Sequence, residues 1–367
     1  MRFLFHFYDL ETRAGIQRAI CELSNALVAE GHEVFIASAT ERAKAAFSLD
    51  ERVALVVLPH KEYSGSGPLA WLPKCFWALR QWRALHRLAA RLKPSMIVDH
   101  GTAVGLLYPF VRMAGAPFVL QRHFPVAAFP RGRILYRLLA CFKSTAEVVA
   151  LTGNVAEELR SCGFRNVHVI PNMISSEARP SPYLLLEPRI GLLMGRAGNP
   201  QKGFDIFLEA LALRPIPGWK FRIVGPCADT DPLLRELVER HHLQAVVALL
   251  PVSSDPCGCI RQCSCVIMPS RYEALPMVAL EALAMGRPLL ASDADGLKNV
   301  VVDGVNGRVF AHSSAAKLAE CLAEVCPDDE SLALFAANAP ASVTRFGRAA
   351  VLSAWLRYAD SFAFVWR

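Results

Sequence analysis

The stretch Tyr272–Gly286, YEALPMVALEALAMG, sets two carboxylates, Glu273 and Glu281, on either side of Pro276. Pro276 suits the first position of a helix, where no backbone donor is required, and Gly286 with Pro288 suits its end. The amides around Ala274, Leu275 and Met277 then form a positive helix terminus able to hold an anion. Glu281 stands on an otherwise apolar helix and projects back toward that terminus. A carboxylate reads a ribose diol or a sugar by accepting hydroxyl hydrogen bonds. One acid for a ribose, one for a sugar and a helix start for phosphate together fit a nucleotide-sugar. The plainer alternative is that Glu281 caps a neighbouring loop and Glu273 is solvated.

A second stretch, GRAGNPQKG at Gly195–Gly203, follows the apolar run IGLLM. It places Arg196 and Lys202 on a glycine-bounded strand-to-helix loop. Cations there neutralise a diphosphate and stabilise it as a leaving group. The order G-x-x-x-x-G-K is absent, which removes the best sign of ATP hydrolysis. Asp99, His100 and His123 end two further apolar runs, SMIVDH and PFVLQRH, and are candidates for the reaction centre. No pair of acids in this half suggests a double-displacement nucleophile.

Two motifs favour simpler readings. Asp293-Ala294-Asp295 spells D-x-D, a metal-binding pattern in one class of transferase, but it follows a buried run in a turn closed by Gly296 and reads as turn chemistry. The cysteines of CGCIRQCSC, Cys257 to Cys265, lack the paired C-x-x-C knuckles of structural zinc sites and read as a helix end entering the strand CVIMPS.

The elements that must position these residues follow from periodicity. FLFHFY, a helix with Ile16, Ile20, Leu23 and Leu27 at helical spacing, a stop at Gly31 and the strand EVFIAS form a βαβ unit with parallel strands. VALVVL, SMIVDH, PFVLQRH, EVVALT and VHVIPN continue the series. After the loop SSEARPSPYLLLEP a second series begins, with strands RIGLLMG, KFRIVG, VVALL, CVIMPS and PLLAS. Its helices are predicted around Phe204–Leu213, Pro232–His242 and Pro276–Met285. The chain of 367 residues thus divides into a first α/β domain over 1–172, a linker over 173–188, a second over 189–345 and a C-terminal helix over 346–367. Both domains are Rossmann-like, and ligands in such sheets bind at the carboxyl ends of the strands, so the expected site is a cleft between them.

Composition bounds the rest. With 53% hydrophobic and 20% charged residues the chain is globular, and no apolar run reaches the length of a membrane span. MRFLFHFYDLE reads as a buried strand rather than a signal peptide, and the scattered cysteines suit a reducing compartment, so the expected location is cytoplasmic. Charge is uneven: residues 1–175 carry 21 basic against 13 acidic side chains, and residues 63–146 carry 12 against one, Asp99. The first half therefore faces an anion. The segment WLPKCFWALRQWRALHRLAARLKP intersperses Trp71, Trp77 and Trp82 with Lys74, Arg80, Arg83, Arg87 and Arg91, and RGRILYRLLACFK repeats the chemistry. Both suit an anionic membrane surface, against the alternative of an ordinary basic solvent face. No nucleic-acid-binding motif is present.

GRAGNPQKGFDIFLEAL, MPSRYEALPMVALEALAMGRPLLASD and VVVDGVNGRVF resemble the donor-binding half of the family-4 glycosyltransferases, retaining enzymes of the GT-B fold, in which two Rossmann-like domains face across a cleft. RAGIQRAICELSNALVAEGHEV is similar to the family's Gly-Gly loop and the helix after it, most like the lipopolysaccharide-core glucosyltransferases. Ala14 replaces the first glycine and leaves Gly15, while Asp295 and Asn299 stand where the family usually has a glycine and a glutamate. The resemblance implies that Arg196 and Lys202 hold the diphosphate and Glu281 the ribose. It gives the donor sugar to Glu273 with Ala274, Leu275 and Pro276, the sugar phosphate to Gly15, and a place near the reaction centre to His123. It further implies transfer of a hexose, from a UDP-sugar, with retention and without metal or other cofactor. The acceptor would be a lipid-linked or lipopolysaccharide-type glycan at the inner face of the cytoplasmic membrane. Two rivals share the pattern: a nucleotide-sugar epimerase of the same fold, and a membrane-surface scaffold that has lost turnover.

Overall fold

The apolar runs become parallel strands in two separate sheets. The computed structural model describes residues 1–39, 44–58, 71–100, 112–128, 134, 136–137, 140, 146–183, 187–198 and 200–363. The segment RGRILYRLLACFK falls mostly outside these residues. The chain divides into one unit built from Met1–Met173 and the C-terminal helix, and a second over Ile174–Gly347.

In the first unit, β1 (Arg2–His6), α1 (Gly15–Ala29), β2 (Glu33–Ser38), β3 (Ala54–Val57), α2 (Trp71–Leu92), β4 (Met96–Asp99), β5 (Arg112–Met113), β6 (Ala116–Arg122), β7 (Glu147–Ala150), α3 (Gly153–Ser161) and β8 (Asn166–Val169) follow in order. The parallel sheet runs β3-β2-β1-β4-β6-β7-β8, and β5 adds an antiparallel pairing on β6. Strands buried on both faces need apolar side chains at every position, which is why Phe3, Leu4 and Phe5 are all fully inaccessible.

In the second unit, β9 (Arg189–Met194), α4 (Phe204–Leu213), β10 (Trp219–Val224), α5 (Pro232–Arg240), β11 (Val247–Leu250), α6 (Pro256–Arg261), β12 (Cys265–Met268), α7 (Met277–Ala284), β13 (Leu289–Ser292), α8 (Asp295–Lys298), β14 (Gly307–Phe310), α9 (Ala315–Val325) and α10 (Asp329–Ser342) build a sheet ordered β11-β10-β9-β12-β13-β14. The last helix, α11 (Arg348–Ala363), packs Trp355 and Tyr358 into the first unit's core beside Phe3 and Ile20. Its Tyr358 hydroxyl donates to Glu147 at 3.1 Å.

Three sequence expectations shift. Pro276 caps α7 from outside, with extended backbone, and Met277 is the first helical residue. Strand β14 was not predicted: its four residues GRVF include Arg308, only its two end residues are buried, and it lies at the sheet edge. Helix α2 turns Trp77, Gln81, Leu85 and Leu88 inward, so Trp77 is a core residue, only 8% exposed. The outward face carries Phe76, Leu79, Arg80, Arg83, Arg87 and Arg91.

The loop between β9 and α4 ends in Gly203, whose φ of +66° belongs to the left-handed region. A methyl group there would lie 2.0 Å from the Pro269 carbonyl oxygen. Gly203→Ala is expected to lower unfolding stability by at least about 2 kcal/mol, since strain and clash combine. Gly218 has a similar φ of +78° with open space around it, and Gly218→Ala should lose only about 1 kcal/mol. Urea denaturation of the two variants measures the difference; equal losses would contradict the close approach.

Candidate active site

Each sheet reverses its strand order at one place. In the second unit the chain steps outward from β9 through β10 to β11 and then returns to β12 on the other side of β9. The loops leaving β9 and β12 start from this reversal point, the place where ligands of such sheets bind. Those two loops are 195–203 and 269–276, the two that carry the candidate donor residues.

The structure joins them through a charge pair. Lys202 Nζ donates to Glu273 Oε1 at 2.6 Å, with the two side chains 19% and 7% exposed. Ser270 Oγ donates to the same oxygen at 2.9 Å, and Gln201 Nε2 approaches Oε2 at 3.4 Å while also donating to the Tyr272 carbonyl at 3.2 Å. Gly195 makes room for the arrangement, because a methyl group there would sit within 3.0 Å of the Lys202 side-chain carbons. Arg196, in the same loop, is exposed. The cation and the carboxylate thus meet in a low-accessibility pocket instead of standing in solvent.

Beyond Glu273, the segment Ala274, Leu275 and Pro276 is buried and leads into α7, whose start has no side-chain cap. Uncapped amides at a helix start attract an anion. Glu281 lies in that helix and is only 1% exposed, and Glu273 is 6% exposed, so Glu273 is not a solvated surface acid. Gly296 closes the other side: its amide donates to the Glu273 carbonyl at 3.2 Å, and a methyl group on it would collide with the Ala274 carbonyl. Asp293 of the D-x-D run accepts from the His312 amide at 2.7 Å and ring at 2.5 Å, so this carboxylate ties the chain after β13 to the chain after β14. Cys257, Cys263 and Cys265 are core side chains, and burial pushes the Cys263 thiol up to about 12.

The first unit reverses its strand order between β1 and β4. There His6 pairs in register with Asp99, and His6 Nδ1 lies 2.5 Å from Asp99 Oδ1, both side chains almost wholly buried. His100 Nδ1 lies 3.1 Å from His123 Nε2, the rings stacked 5.3 Å apart. Asp99 and His123 therefore belong to one four-residue cluster, which sequence reasoning entered without His6. Its only signal was a polar residue inside the apolar run FLFHFY. Gly15 opens α1 and is exposed, with Ala14 as an uncapped N-terminal neighbour. Sequence reasoning also missed Gln201 and Ser270, whose parts depend on a contact across 72 and 3 residues respectively.

Comparison with known proteins agrees with this architecture. Residues 13–178 match the model of Glycosyltransferase Family 4, and residues 177–342 that of Glycosyl transferases group 1. The chain is 28% identical over 294 residues to the alpha-D-kanosaminyltransferase of Streptomyces kanamyceticus, covering 72% of this chain and 75% of that enzyme. Its fold is similar to HepE of Anabaena, solved with UDP and glucose, at a TM-score of 0.77 and 20% identity over 98% of this chain and 100% of that one. It is likewise similar to a sucrose-phosphate synthase from Thermosynechococcus elongatus, at a TM-score of 0.79 and 18% identity over 99% of both chains. The chain belongs to the glycosyltransferases of the GT-B fold, with a family-4 first half and a group-1 second half. It is an α/β enzyme of two Rossmann-like domains.

The histidine cluster makes a testable pH dependence. Burial, followed by the Arg122 charge, lowers the His123 imidazole to about 3 from its ordinary 6.5. Burial and the neighbouring His123 and His6 hold His100 well below its ordinary value. Both rings are neutral in the folded chain, whereas the unfolded chain binds protons on them below about pH 6.5. Stability therefore falls as pH drops from about 6.5 toward 3, by about 1.4 kcal/mol per pH unit for each such ring. Urea titrations at pH 7, 6 and 5 should show this decline, and His123→Asn should flatten it; a slope unchanged by the substitution would contradict neutral burial.

Proposed function

We propose that the second unit binds a nucleotide-diphosphate sugar, a UDP-sugar in particular, and that the first unit supplies the acceptor side of a retaining hexosyl transfer. The observation that carries this reading is the Lys202–Glu273 pair at the sheet's reversal point. A diphosphate offers Lys202 a stronger partner than one carboxylate, because it brings more charge and more acceptor oxygens. Lys202, Arg196 and the uncapped start of α7 then hold the diphosphate and stabilise it as it leaves. Glu273, released from Lys202 and still held by Ser270, accepts hydroxyls of the donor sugar, and Glu281 accepts those of the ribose. The leaving diphosphate takes the acceptor's proton on the face it departs from, so the protein mainly orients the partners and stabilises charge. Asp99 and His123, with Gly15 at the start of α1, border the acceptor side. The route needs no metal or other cofactor. The HepE structures with UDP and UDP-glucose support a UDP-sugar donor, and the kanosaminyltransferase relative favours transfer over epimerisation or a turnover-deficient scaffold.

The acceptor is proposed to be a lipid-linked or lipopolysaccharide-type glycan at the inner face of the cytoplasmic membrane, reached by a chain that rests on anionic lipid. Helix α2 supports this. Its outer face carries Phe76, 68% exposed, and Leu79 ahead of the row Arg80, Arg83, Arg87 and Arg91. The apolar contact falls to Phe76 and Leu79 rather than to Trp77. Among the described residues no helix is long and apolar enough to cross a membrane.

Two outcomes test these readings. Thermal shift with UDP-, GDP- and ADP-sugars should single out one nucleotide, and Lys202→Ala or Glu281→Ala should reduce affinity for it at least about tenfold. Unchanged affinity in both variants contradicts the donor assignment. The protein should sediment with vesicles containing anionic lipid and not with neutral ones, less so in high salt, and Arg80→Ser/Arg83→Ser/Arg87→Ser should abolish it. Equal sedimentation with both vesicle types contradicts the membrane reading.

A further inference from the structure

If Lys202 exchanges Glu273 for a diphosphate, the charged tie between the two loops is lost at the moment the site is used, and of the site's own contacts only those of Gln201 with Tyr272 and Glu273 still bridge them. Loop 195–203 contains three glycines with positive φ, Gly195, Gly198 and Gly203, so it has conformational freedom to drift once released. A second tie lies beside the first. The Arg271 guanidinium donates to Asp205 through both forks, Nη1 to Oδ1 at 2.9 Å and Nη2 to Oδ2 at 2.6 Å. The same Nη1 donates to the Pro200 carbonyl at 2.5 Å, and the Arg271 amide donates to the Gln201 carbonyl at 2.8 Å. One residue of the β12 loop thus grips the other loop at three points: just before Lys202, at Gln201, and on the first turn of α4. None of these contacts uses Lys202, Glu273, Glu281 or the start of α7.

We propose that Arg271, with Asp205, is a positioning strap that keeps loop 195–203 in register with the Glu273 turn after Lys202 leaves for the donor diphosphate. The bidentate geometry suits this task, since two parallel charge-assisted hydrogen bonds fix orientation as well as distance. Burial raises the Asp205 carboxyl, but the Arg271 hydrogen bonds and charge outweigh it and leave it below the usual range. The pair therefore stays ionised through neutral pH. Both side chains are about one-third exposed, at 30% and 27%, so the strap contributes less to overall folding than to local register. Lysine cannot replace it, because a single ammonium lacks the fork that reaches Asp205 and the Pro200 carbonyl together.

The proposal rests on the donor reading, and its test separates the two. Isothermal titration with UDP, GDP and ADP measures affinity in the wild type, Arg271→Ala, Arg271→Lys, Asp205→Asn and the exchanged pair Arg271→Asp/Asp205→Arg. The matching free nucleosides serve as probes that do not need the diphosphate cations. Diphosphate affinity is expected to fall about tenfold in the three single variants, with nucleoside affinity and melting temperature little changed. The exchanged pair should recover part of the loss. Arg240→Ala, which breaks a surface pair with Glu236, should leave every value as in the wild type. A merely structural Arg271 would instead lower melting temperature and weaken diphosphate and nucleoside alike, which overturns the strap. Wild-type affinity in folded Arg271→Ala and Asp205→Asn overturns it as well; should the alanine variant not fold, Asp205→Asn and Arg271→Lys decide. If no diphosphate binds the wild type, the donor reading fails and the strap falls with it.

Discussion

The proposed donor site depends on a cation and a carboxylate held together away from water. Lys202 and Glu273 come from loops on neighbouring strands, and each lies in a pocket where an isolated charge would be poorly solvated. Removing one partner of such a pair leaves the other uncompensated, at a cost of about 3 kcal/mol. The pair therefore sets the spacing of the two loops before any ligand arrives. On the proposed donor reading, the ligand supplies a better anion for Lys202 and then offers hydroxyls to the freed carboxylate. A sugar diphosphate does both.

The first unit repeats the device with different residues. At its own reversal point the neighbouring strands β1 and β4 are joined by His6 and Asp99, with almost no solvent exposure. Reversal points are where strand ends part, so buried polar groups there escape the packing that fills the rest of the sheet. Both sheets hold a paired titratable group at that place, Lys202 with Glu273 in one and His6 with Asp99 in the other. The glycines matter for the same reason, since Gly195 yields its side-chain space to Lys202 and Gly203 lets the loop lie against Pro269.

Much of the scaffold was legible because buried parallel strands must be apolar throughout. The runs FLFHFY, EVFIAS and CVIMPS could hardly be other elements, and α4 begins and ends where the periodicity placed it. Strand β14 escaped because an edge strand tolerates Arg308 and needs only one buried face. Trp77 was misread because tryptophan among arginines resembles a membrane face, while the true inward stripe was disguised by Gln81, a buried polar residue. In the site, Glu273 and Lys202 were recognisable as a carboxylate and a cation in the right loops. Their pairing was not, because 71 residues separate them and no local pattern encodes the contact. Gln201, Ser270, Asp205 and Arg271 look like ordinary loop polarity in sequence and gain their roles only from tertiary neighbours.

The central claim is that Lys202 changes partner when the donor binds. A crystal structure of the protein with the nucleoside diphosphate it prefers tests it most directly. The account predicts Lys202 Nζ within hydrogen-bond distance of a phosphate oxygen and withdrawn from Glu273, whose carboxylate remains held by Ser270. Diphosphate bound elsewhere on the second unit, with the Lys202–Glu273 contact intact, would contradict it.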